Sequence, residues 1–283
     1  MSSNIGKLYV VATPIGNLAD ISFRAVEVFK QVDLIAAEDT RHVRLLLQHY
    51  GISNKLLAFH QHNEHKVAPE LVVKLRQGMS VALVSDAGTP LLSDPGLPLV
   101  KLARAAGLSV SPVPGASALI AALSVSGLPL NRFVFEGFLP RTASARQTFF
   151  KAKKEATATW VFYESSHRIL ACIKDLAAIL PAERKLLLAR ELTKLHETLI
   201  LTTVAKAVSE IEQNSYMQKG EYVVVVDGAA EVDAKTKISA EQQRTLKILL
   251  QECSVKTAAA MTAEITGGKK RALYQAALEL IKD

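Results

Sequence analysis

The sequence predicts an α/β protein with two sheet-containing domains and a small helical extension. In the first part of the chain, continuous apolar runs recur with amphipathic helical patterns between them. This pattern is typical of a parallel-rich sheet covered by helices on both faces. Further on, strand-like runs follow one another more closely, which predicts a mixed sheet. The C-terminal part carries only helical patterns.

The chain of 283 residues is too long for one small hydrophobic core, so we expect more than one domain. We predict an N-terminal α/β domain over residues 1–114 that carries ligand-binding loops. A second α/β domain over residues 115–230 would complete a cleft, and a helical extension would occupy residues 238–283. The segment from Gly228 to Ser239 has the composition of a linker.

The elements of the first domain alternate regularly. Apolar runs predict strands at residues 7–12, 34–38, 56–59, 80–85 and 108–113. Amphipathic patterns predict helices at residues 20–32, 40–51, 65–77 and 97–106. Continuous apolar strands that alternate with helices indicate a sheet that helices cover on both faces.

The second domain and the extension show other sequence patterns than the first domain. After a helix at residues 117–126, strands are predicted at residues 132–138, 157–164, 185–191, 197–203 and 221–228. The extension shows helices at residues 241–254, 256–266 and 269–281. The basic run at Lys269–Arg271 follows a Gly-Gly turn, and it is either a phosphate contact or a charged helix start.

Composition limits the class of protein. Apolar residues make up 49% of the chain and charged residues 22%, which indicates a folded protein. The two cysteines, Cys172 and Cys253, lie far apart in sequence, so we expect no disulfide framework and a cytoplasmic location. We expect no signal peptide, and prolines and glycines interrupt the uncharged stretch between Arg104 and Arg132, so we expect no membrane span.

The net charge of +7 suits a polyanionic partner, although many soluble enzymes reach this value. The segment from Leu139 to Lys154 concentrates basic residues and contains no acidic one. The candidate nucleic-acid contacts in it are Arg141, Arg146, Lys151, Lys153 and Lys154. A solvated helix face explains the same pattern, so both interpretations stay open at this point.

Three loops at predicted strand ends share an unusual composition. They are Ala12–Leu18, Ser85–Gly96 and Val113–Ala118, and each combines proline with glycine and small residues. Proline fixes the backbone and glycine lets it approach a ligand closely. Ligands of open α/β sheets bind beyond the carboxyl ends of strands, so the three loops predict a binding cleft rather than simple turns.

Several known motifs are missing from the sequence. It has no G-x-G-x-x-G after the first strand, no P-loop and no G-x-S-x-G, which disfavours dinucleotide folds, P-loop enzymes and α/β-hydrolases. His60, His62 and His65 cluster after a strand, but no cysteine lies nearby. We therefore favour polar residues that line a cleft over a metal site, and we expect no bound metal.

The motifs together resemble the ribosomal RNA small subunit methyltransferase I family, a branch of the tetrapyrrole methylase-like superfamily. The resemblance covers residues 7 to about 228, and the helical tail resembles the C-terminal extension of that family. It rests on the segments "LYVVATPIGNLADIS", "AAEDTR", "VSDAGTPLLSDPG", "PVPGASALIAALSVSGLP", "FVFEGFLPR", "FYESSHRI" and "ARELTKLHE".

The resemblance implies a two-domain tetrapyrrole methylase-like fold and S-adenosylmethionine as methyl donor. It also implies 2′-O-methylation of a cytidine in the decoding region of 16S ribosomal RNA, with the RNA or the small ribosomal subunit as partner, and a homodimer. By position, the implied cofactor-binding residues are Ile15, Asp86, Thr89, Ser117, Ala118, Phe162, Leu192, Gly220 and Glu221.

A ribose hydroxyl is a weak nucleophile at neutral pH, so a base or charged donor near it would help the transfer. Our catalytic candidates are Glu164, His167 and Arg168, and further polar candidates are Lys194, His196 and Glu197. Ordinary surface or dimer-contact roles explain the same residues. The sequence therefore does not single out one base.

Two other functions remain open from the sequence. A small-molecule methyltransferase acting on a tetrapyrrole acid would share the fold and the donor. Its loops tend to contain a Gly-rich "GxGPGD"-like motif, whereas this chain has "ATPIGNLAD". A non-catalytic RNA-binding module would not need the three loops.

Overall fold

The computed structural model describes residues 5–230 and 238–281. The chain divides into two compact units, Met1–Asp227 and Gly228–Asp283. The first unit contains both sheets and the second contains helices only.

The first sheet is five-stranded and wholly parallel. Its strands lie in the order β3-β2-β4-β1-β5 and span β1 Lys7–Val11, β2 Leu34–Ala37, β3 Leu56–Ala58, β4 Val81–Val84 and β5 Ser109–Val113. The residues of β2 and β4 are all buried. This explains why their sequences are continuously apolar.

Helices cover both faces of this sheet, at α1 Phe23–Gln31, α2 Thr40–His49, α3 Glu64–Arg76 and α4 Leu97–Ala105. The side chains of Ser22 and Asp39 accept hydrogen bonds from backbone N–H groups at the starts of α1 and α2. One core contains Phe29 of α1, and the other contains Leu71 of α3.

The second sheet is mixed, in the order β6-β7-β10-β8-β9. Its strands are β6 Phe133–Phe138, β7 Thr159–Ser165, β8 Lys185–Arg190, β9 Thr198–Thr203 and β10 Glu221–Val226. β6 runs parallel to β7, and the other neighbours are antiparallel.

Different helices cover the two faces of this sheet. Helix α5 (Ala118–Ser124) packs on the face that carries Val161, Val223 and Val225. The opposite face, with Trp160 and Phe162, packs against the helices α6 Ala143–Lys153, α7 Ser166–Ala177 and α8 Val204–Glu212. Short 3-10 helices lie at Leu18–Asp20 and Ser215–Gln218.

The second unit contains α9 Ala240–Leu249, α10 Val255–Thr266 and α11 Lys270–Leu280. Leu246, Ala258 and Ala277 form its core. Ser239 and Gln242 form a reciprocal capping box at the start of α9. Gly267 ends α10 with a left-handed φ of 71°, a conformation that glycine adopts without strain.

The predicted fold class is confirmed, including the parallel sheet, the mixed sheet and the helical tail. The predicted strands all form, whereas α7 and α8 were not predicted. The strands of the parallel sheet end before residue 114 and those of the mixed sheet begin after it. The domain boundaries remain a prediction, because both sheets belong to one compact unit.

The predicted linker lies partly outside the described residues, because its segment 231–237 is not described. Within the described residues, no helix is both long enough and apolar enough to cross a membrane.

Candidate functional site

The three loops singled out in the sequence meet at the carboxyl edge of the parallel sheet. Thr13 and Gly88 exchange backbone hydrogen bonds of 2.9 and 3.0 Å, which join the loops after β1 and β4. The Thr89 hydroxyl donates to the Ala116 carbonyl at 3.1 Å, which joins the loops after β4 and β5. These contacts fix the three loops relative to one another.

A cavity of about 350 Å³ opens between these loops and the mixed sheet. This volume lies within the range of small-molecule sites. Residues from both sheets form its wall: Ile15, Asp86, Ala87, Gly88, Thr89, Leu92, Ser93, Asp94, Ser117, Ala118, Phe138, Tyr163, Glu164, Ser165, Ala189, Glu191, Leu192, Lys194, Glu221, Tyr222 and Val223.

Most of the predicted cofactor-binding residues line this cavity, namely Ile15, Asp86, Thr89, Ser117, Ala118, Leu192 and Glu221. The side chain of Phe162 does not, since it packs beside Trp160 on the opposite face of the mixed sheet. Its neighbour Tyr163 faces the cavity instead, because successive side chains of a strand point to opposite faces.

Gly220 also lies outside the cavity wall. Its φ of 90° favours glycine, and a Cβ atom there would lie 2.6 Å from Cγ of Glu191. The glycine therefore leaves space for a side chain that does line the cavity.

Ser117 carries a hydroxyl without a partner among the described residues. The residue is the N-cap of α5, yet its side chain makes no capping hydrogen bond, and its Oγ atom is buried. A buried hydroxyl with no hydrogen bond is costly unless a ligand or water satisfies it. Its position in the cavity wall fits a polar group of a bound molecule.

The Asp86 carboxylate links two loops. Its Oδ1 atom accepts a hydrogen bond from the Asp39 N–H at 2.8 Å, and its Oδ2 atom lies 3.7 Å from Nδ1 of His42. These contacts orient Asp86 from Asp39 and His42, which follow β2 and do not themselves line the cavity.

On the opposite wall, Lys194 bridges two glutamates. Its Nζ atom lies 2.9 Å from Oε1 of Glu191 and 2.8 Å from Oε2 of Glu221. Burial alone would raise the pKa of Glu191, but hydrogen bonds from Lys194 and the Glu221 N–H hold that pKa below its usual value. Glu191 is therefore ionised at neutral pH.

The loop that follows β8 and carries Glu191 and Lys194 is strained. Glu191 and Thr193 adopt positive φ angles of 50° and 64°, and so do Leu91 and Ser93, both at 74°, on the other side of the cavity. Such angles are uncommon for residues other than glycine and concentrate at functional sites. Both strained loops contribute to the cavity wall.

The three catalytic candidates of the segment "YESSHRI" have different environments. Glu164 lies in the cavity wall with a fully buried carboxylate, which pairs with Nη2 of Arg168 at 3.1 Å. Arg168 also donates to the carbonyls of Leu139 and Pro140. His167 is exposed at the start of α7 and lies outside the cavity wall.

Only one of the three further polar candidates lines the cavity. Lys194 lines the cavity, whereas His196 and Glu197 are exposed and lie outside its wall. Glu197 instead accepts a hydrogen bond from the Thr193 N–H at 2.7 Å. This contact stabilises the strained loop.

The basic segment is not uniformly exposed. Arg141, Lys151 and Lys154 are exposed. Arg146 is buried, and its guanidinium forms an ion pair with Asp175 and donates to the carbonyls of Pro140 and Arg141. Lys153 pairs with Glu136 and is only partly exposed. The structure therefore does not place Arg146 where RNA could reach it.

The histidine cluster is more open than a metal site requires. The rings of His60 and His62 lie 5.9 Å apart, and His62 and His65 are exposed. Within the described part of the chain, no group of three or more His, Cys, Asp or Glu side chains is arranged to hold a metal ion.

Asp94 lies in the loop Ser85–Gly96, but it was not among the predicted site residues. It is half-buried in the cavity wall. Burial, with smaller contributions from the nearby carboxylates of Glu38 and Asp86, raises its pKa to about 6, although a hydrogen bond with Ser85 opposes the shift. Only the fold could show this, because Glu38 and Asp94 are distant in sequence.

Comparison with solved structures supports the fold assignment. A uroporphyrin-III C-methyl transferase from Thermus thermophilus, complexed with S-adenyl homocysteine, matches with a TM-score of 0.53 and 17% identity, covering 78% of this chain and 97% of that one. The methyltransferase CobJ matches with a TM-score of 0.57 and 18% identity, covering 80% and 95%. These similarities show the shared fold.

Comparison of sequences is more specific. Residues 7–208 match the family described as "Tetrapyrrole (Corrin/Porphyrin) Methylases", and residues 236–281 match the "RsmI C-terminal HTH domain". Ribosomal RNA small subunit methyltransferase I of Xylella fastidiosa strain Temecula1 is 51% identical over 96% of this chain and 99% of the relative. The protein of that name from Escherichia coli O157:H7 is 50% identical over 97% and 95%.

The fold and the cavity define a methylase of the tetrapyrrole methylase type. Within that class, the chain belongs to the ribosomal RNA small subunit methyltransferase I family, as its motifs indicated.

Proposed function

We propose that this protein transfers a methyl group from S-adenosylmethionine to the 2′-hydroxyl of a cytidine ribose in the decoding region of 16S ribosomal RNA. The observation that carries the proposal is an identity of about half over nearly the whole length of relatives named for small-subunit ribosomal RNA methylation. The matched C-terminal helical domain belongs to the same family.

The residues present fit an S-adenosylmethionine molecule. The unpartnered Ser117 hydroxyl and the carboxylate of Asp86 offer an uncharged and an anionic contact for polar groups. Ile15, Ala118 and Leu192 offer apolar surface for a flat ring. The bound donor supplies an activated methyl group on a positively charged sulfur, and carboxylates near that charge favour its binding.

The protein's own contribution is mainly positioning. Methyl transfer to a hydroxyl oxygen requires that oxygen, the methyl carbon and the sulfur to lie in line. The contacts from Thr13 to Gly88 and from Thr89 to Ala116 hold the three loops rigidly, as such alignment requires.

The RNA would approach across the open side of the cavity. Phe138 lies at the wall with 57% of its surface exposed and meets Tyr163 edge to face. An exposed aromatic ring can stack on a base that leaves its helix, and single-stranded or splayed RNA is the usual target when one ribose must be reached. Exposed Arg141, Lys151 and Lys154 supply positive charge for the phosphates.

A homodimer is part of the proposal. Leu199 and Leu201 pair with Ala189 and Leu187, so they share the face of the mixed sheet covered by α5, yet they are 41% and 52% exposed. Ile120 and Val125, on or next to α5, are also more than half exposed. Apolar groups of this kind mark an interaction surface.

Sedimentation of wild-type protein and of Leu201→Asp tests the dimer. We expect a dimer for the wild type and a shift towards monomer for the variant. A monomeric wild type would refute the dimer without affecting the proposed reaction. A cytoplasmic location, where ribosomes are assembled, also belongs to the proposal.

The function is tested by incubating the protein with radiolabelled S-adenosylmethionine and either small ribosomal subunits, purified 16S ribosomal RNA or uroporphyrinogen. We expect label in the RNA of the subunit or of the purified RNA. Label in uroporphyrinogen with none in RNA would replace the proposal with a small-molecule methyltransferase.

A further inference from the structure

The proposed reaction needs a proton acceptor, because the ribose hydroxyl must lose its proton as the new bond forms. The carboxylates that can serve at neutral pH belong to five residues that border the cavity: Asp86, Asp94, Glu164, Glu191 and Glu221. The Glu164 carboxylate itself is fully buried on the opposite face of the mixed sheet, beside Arg168. Their partners differ, and these differences show which carboxylate is suited to accept a proton.

Three of these carboxylates have a cationic partner. Arg168 pairs with Glu164, and Lys194 pairs with both Glu191 and Glu221. For Glu191, burial raises the pKa, but the hydrogen bond and charge of Lys194 more than offset this, hold the pKa below its usual value and weaken the group as a base. A proton on any of the three would also break an ion pair that holds the cavity wall together.

Both oxygen atoms of the Asp86 carboxylate contact residues that follow β2. Its Oδ1 atom accepts a backbone hydrogen bond from Asp39, and its Oδ2 atom faces His42. These contacts use the carboxylate to join the loops after β2 and β4, so protonation of Asp86 would weaken the frame of the site.

Asp94 differs from the other four, since it forms no ion pair among the described residues. The charged and titratable groups that face it are the carboxylates of Glu38 and Asp86 and the phenol of Tyr163, with the Ser85 hydroxyl as hydrogen-bond partner. Negative neighbours and partial burial strengthen a carboxylate as a base.

The loop also holds Asp94 firmly in place. Positive φ angles at Leu91, Ser93 and Gly96 surround it, and the Gly96 N–H donates to Oε2 of Glu64 at 2.9 Å. A Cβ atom on Gly96 would lie 2.7 Å from the Leu83 side chain, so the loop packs tightly on β4. A strained but anchored loop is how proteins preorganise a reacting group.

We propose that Asp94 is the general base that accepts the proton of the ribose 2′-hydroxyl. This inference rests on the proposed function. The O–H bond breaks and its proton passes to a carboxylate oxygen of Asp94. The oxygen uses the freed electron pair to bond the methyl carbon, and the electrons of the carbon–sulfur bond return to sulfur, which leaves S-adenosylhomocysteine.

The first test compares wild type with Asp94→Asn, which keeps the shape but cannot accept the proton. We expect kcat for RNA methylation to fall about 100-fold or more, as for other general bases. Affinity for S-adenosylhomocysteine, measured by calorimetry, should change less than about threefold, because that ligand lacks the sulfonium charge. Equal losses of affinity and kcat would make Asp94 a binding residue and overturn the inference.

The pH dependence gives a second readout. With the pKa of Asp94 at about 6, the wild-type rate should rise with pH towards about 7 and then level off. Asp94→Asn should lack this rise. Asp94→Glu keeps a carboxylate and should recover part of the rate together with the pH dependence. The exposed control Glu70→Gln should behave as the wild type.

A third readout does not depend on activity. In protein labelled with ¹³C at the aspartate carboxyls, one resonance should titrate near pH 6 and be missing from Asp94→Asn. If the wild type methylates no RNA, the proposed function fails, while this titration still tests Asp94. The inference fails if no aspartate titrates near pH 6, or if a folded Asp94→Asn variant methylates RNA at the wild-type rate.

Discussion

The carboxylate of Asp86 accepts a hydrogen bond of 2.8 Å from the backbone N–H of Asp39, and this contact crosses from one strand end of the parallel sheet to the next. Asp86 is at the same time part of the cavity wall. One side chain therefore fixes the frame of the proposed cofactor site and presents a negative charge inside it.

The Asp86→Ala variant should bind S-adenosylmethionine at least tenfold more weakly than wild type. It loses a charged contact and leaves the Asp39 N–H without its partner, and a lost hydrogen bond to a charged group is worth about 1.5–3 kcal/mol. Calorimetric titration measures the effect, with Glu70→Gln as a control for charge loss. Unchanged affinity would remove Asp86 from the site.

The Lys194→Met variant should destabilise the protein and open the cavity wall. Removing the ammonium leaves the mostly buried Glu191 carboxylate without its cation, and a buried polar group that loses its partner costs about 1–3 kcal/mol. The Glu221 carboxylate is 81% exposed and adds little to this cost. Urea unfolding at pH 7 measures this cost. Lys194→Arg keeps the charge and should lose less, so equal stability of wild type and Lys194→Met would contradict the account.

Arg146 and Lys151 lie in one helix but should respond oppositely to substitution. Arg146→Met breaks a buried ion pair with Asp175, which costs about 3–5 kcal/mol of stability. Lys151→Met, at an exposed position, should leave stability unchanged and reduce the salt dependence of RNA binding. Thermal melts and RNA titrations at two salt concentrations separate the effects; weaker RNA binding by a fully stable Arg146→Met would contradict this assignment.

Asp94 should also affect how stability depends on pH. Its pKa is about 6 in the folded protein and 3.8 as the unperturbed value, so between these values the folded state binds more protons than the unfolded state. This group's contribution to stability therefore falls as pH rises from about 4 to about 6. The difference in unfolding free energy between wild type and Asp94→Asn should follow that trend, and a difference independent of pH would contradict it.

Sequence patterns predicted the framework of the site because they depend on local chemistry. Proline and glycine mark the three loops, and continuous apolar runs mark a parallel sheet whose carboxyl ends meet at one edge. The contact between Thr89 and Ala116 shows two of these loops joined.

The remaining features depend on contacts between distant residues. Strand parity decided that Tyr163 rather than Phe162 faces the cavity, and the sequence does not fix which face of a fully buried strand points to a ligand. The sequence predicted Arg146 to be an exposed basic residue, but its guanidinium is buried in an ion pair with Asp175, which lies on another helix. The raised pKa of Asp94 likewise depends on Glu38, which follows a different strand.

We propose above all that this cavity directs a methyl group onto a ribose hydroxyl of small-subunit RNA. Mass mapping of 16S ribosomal RNA, isolated from otherwise identical cells with and without the protein, tests it most directly. We predict one 2′-O-methylcytidine in the decoding region that is present only with the protein. A methyl group on a base instead, or identical maps from both cells, would contradict the claim.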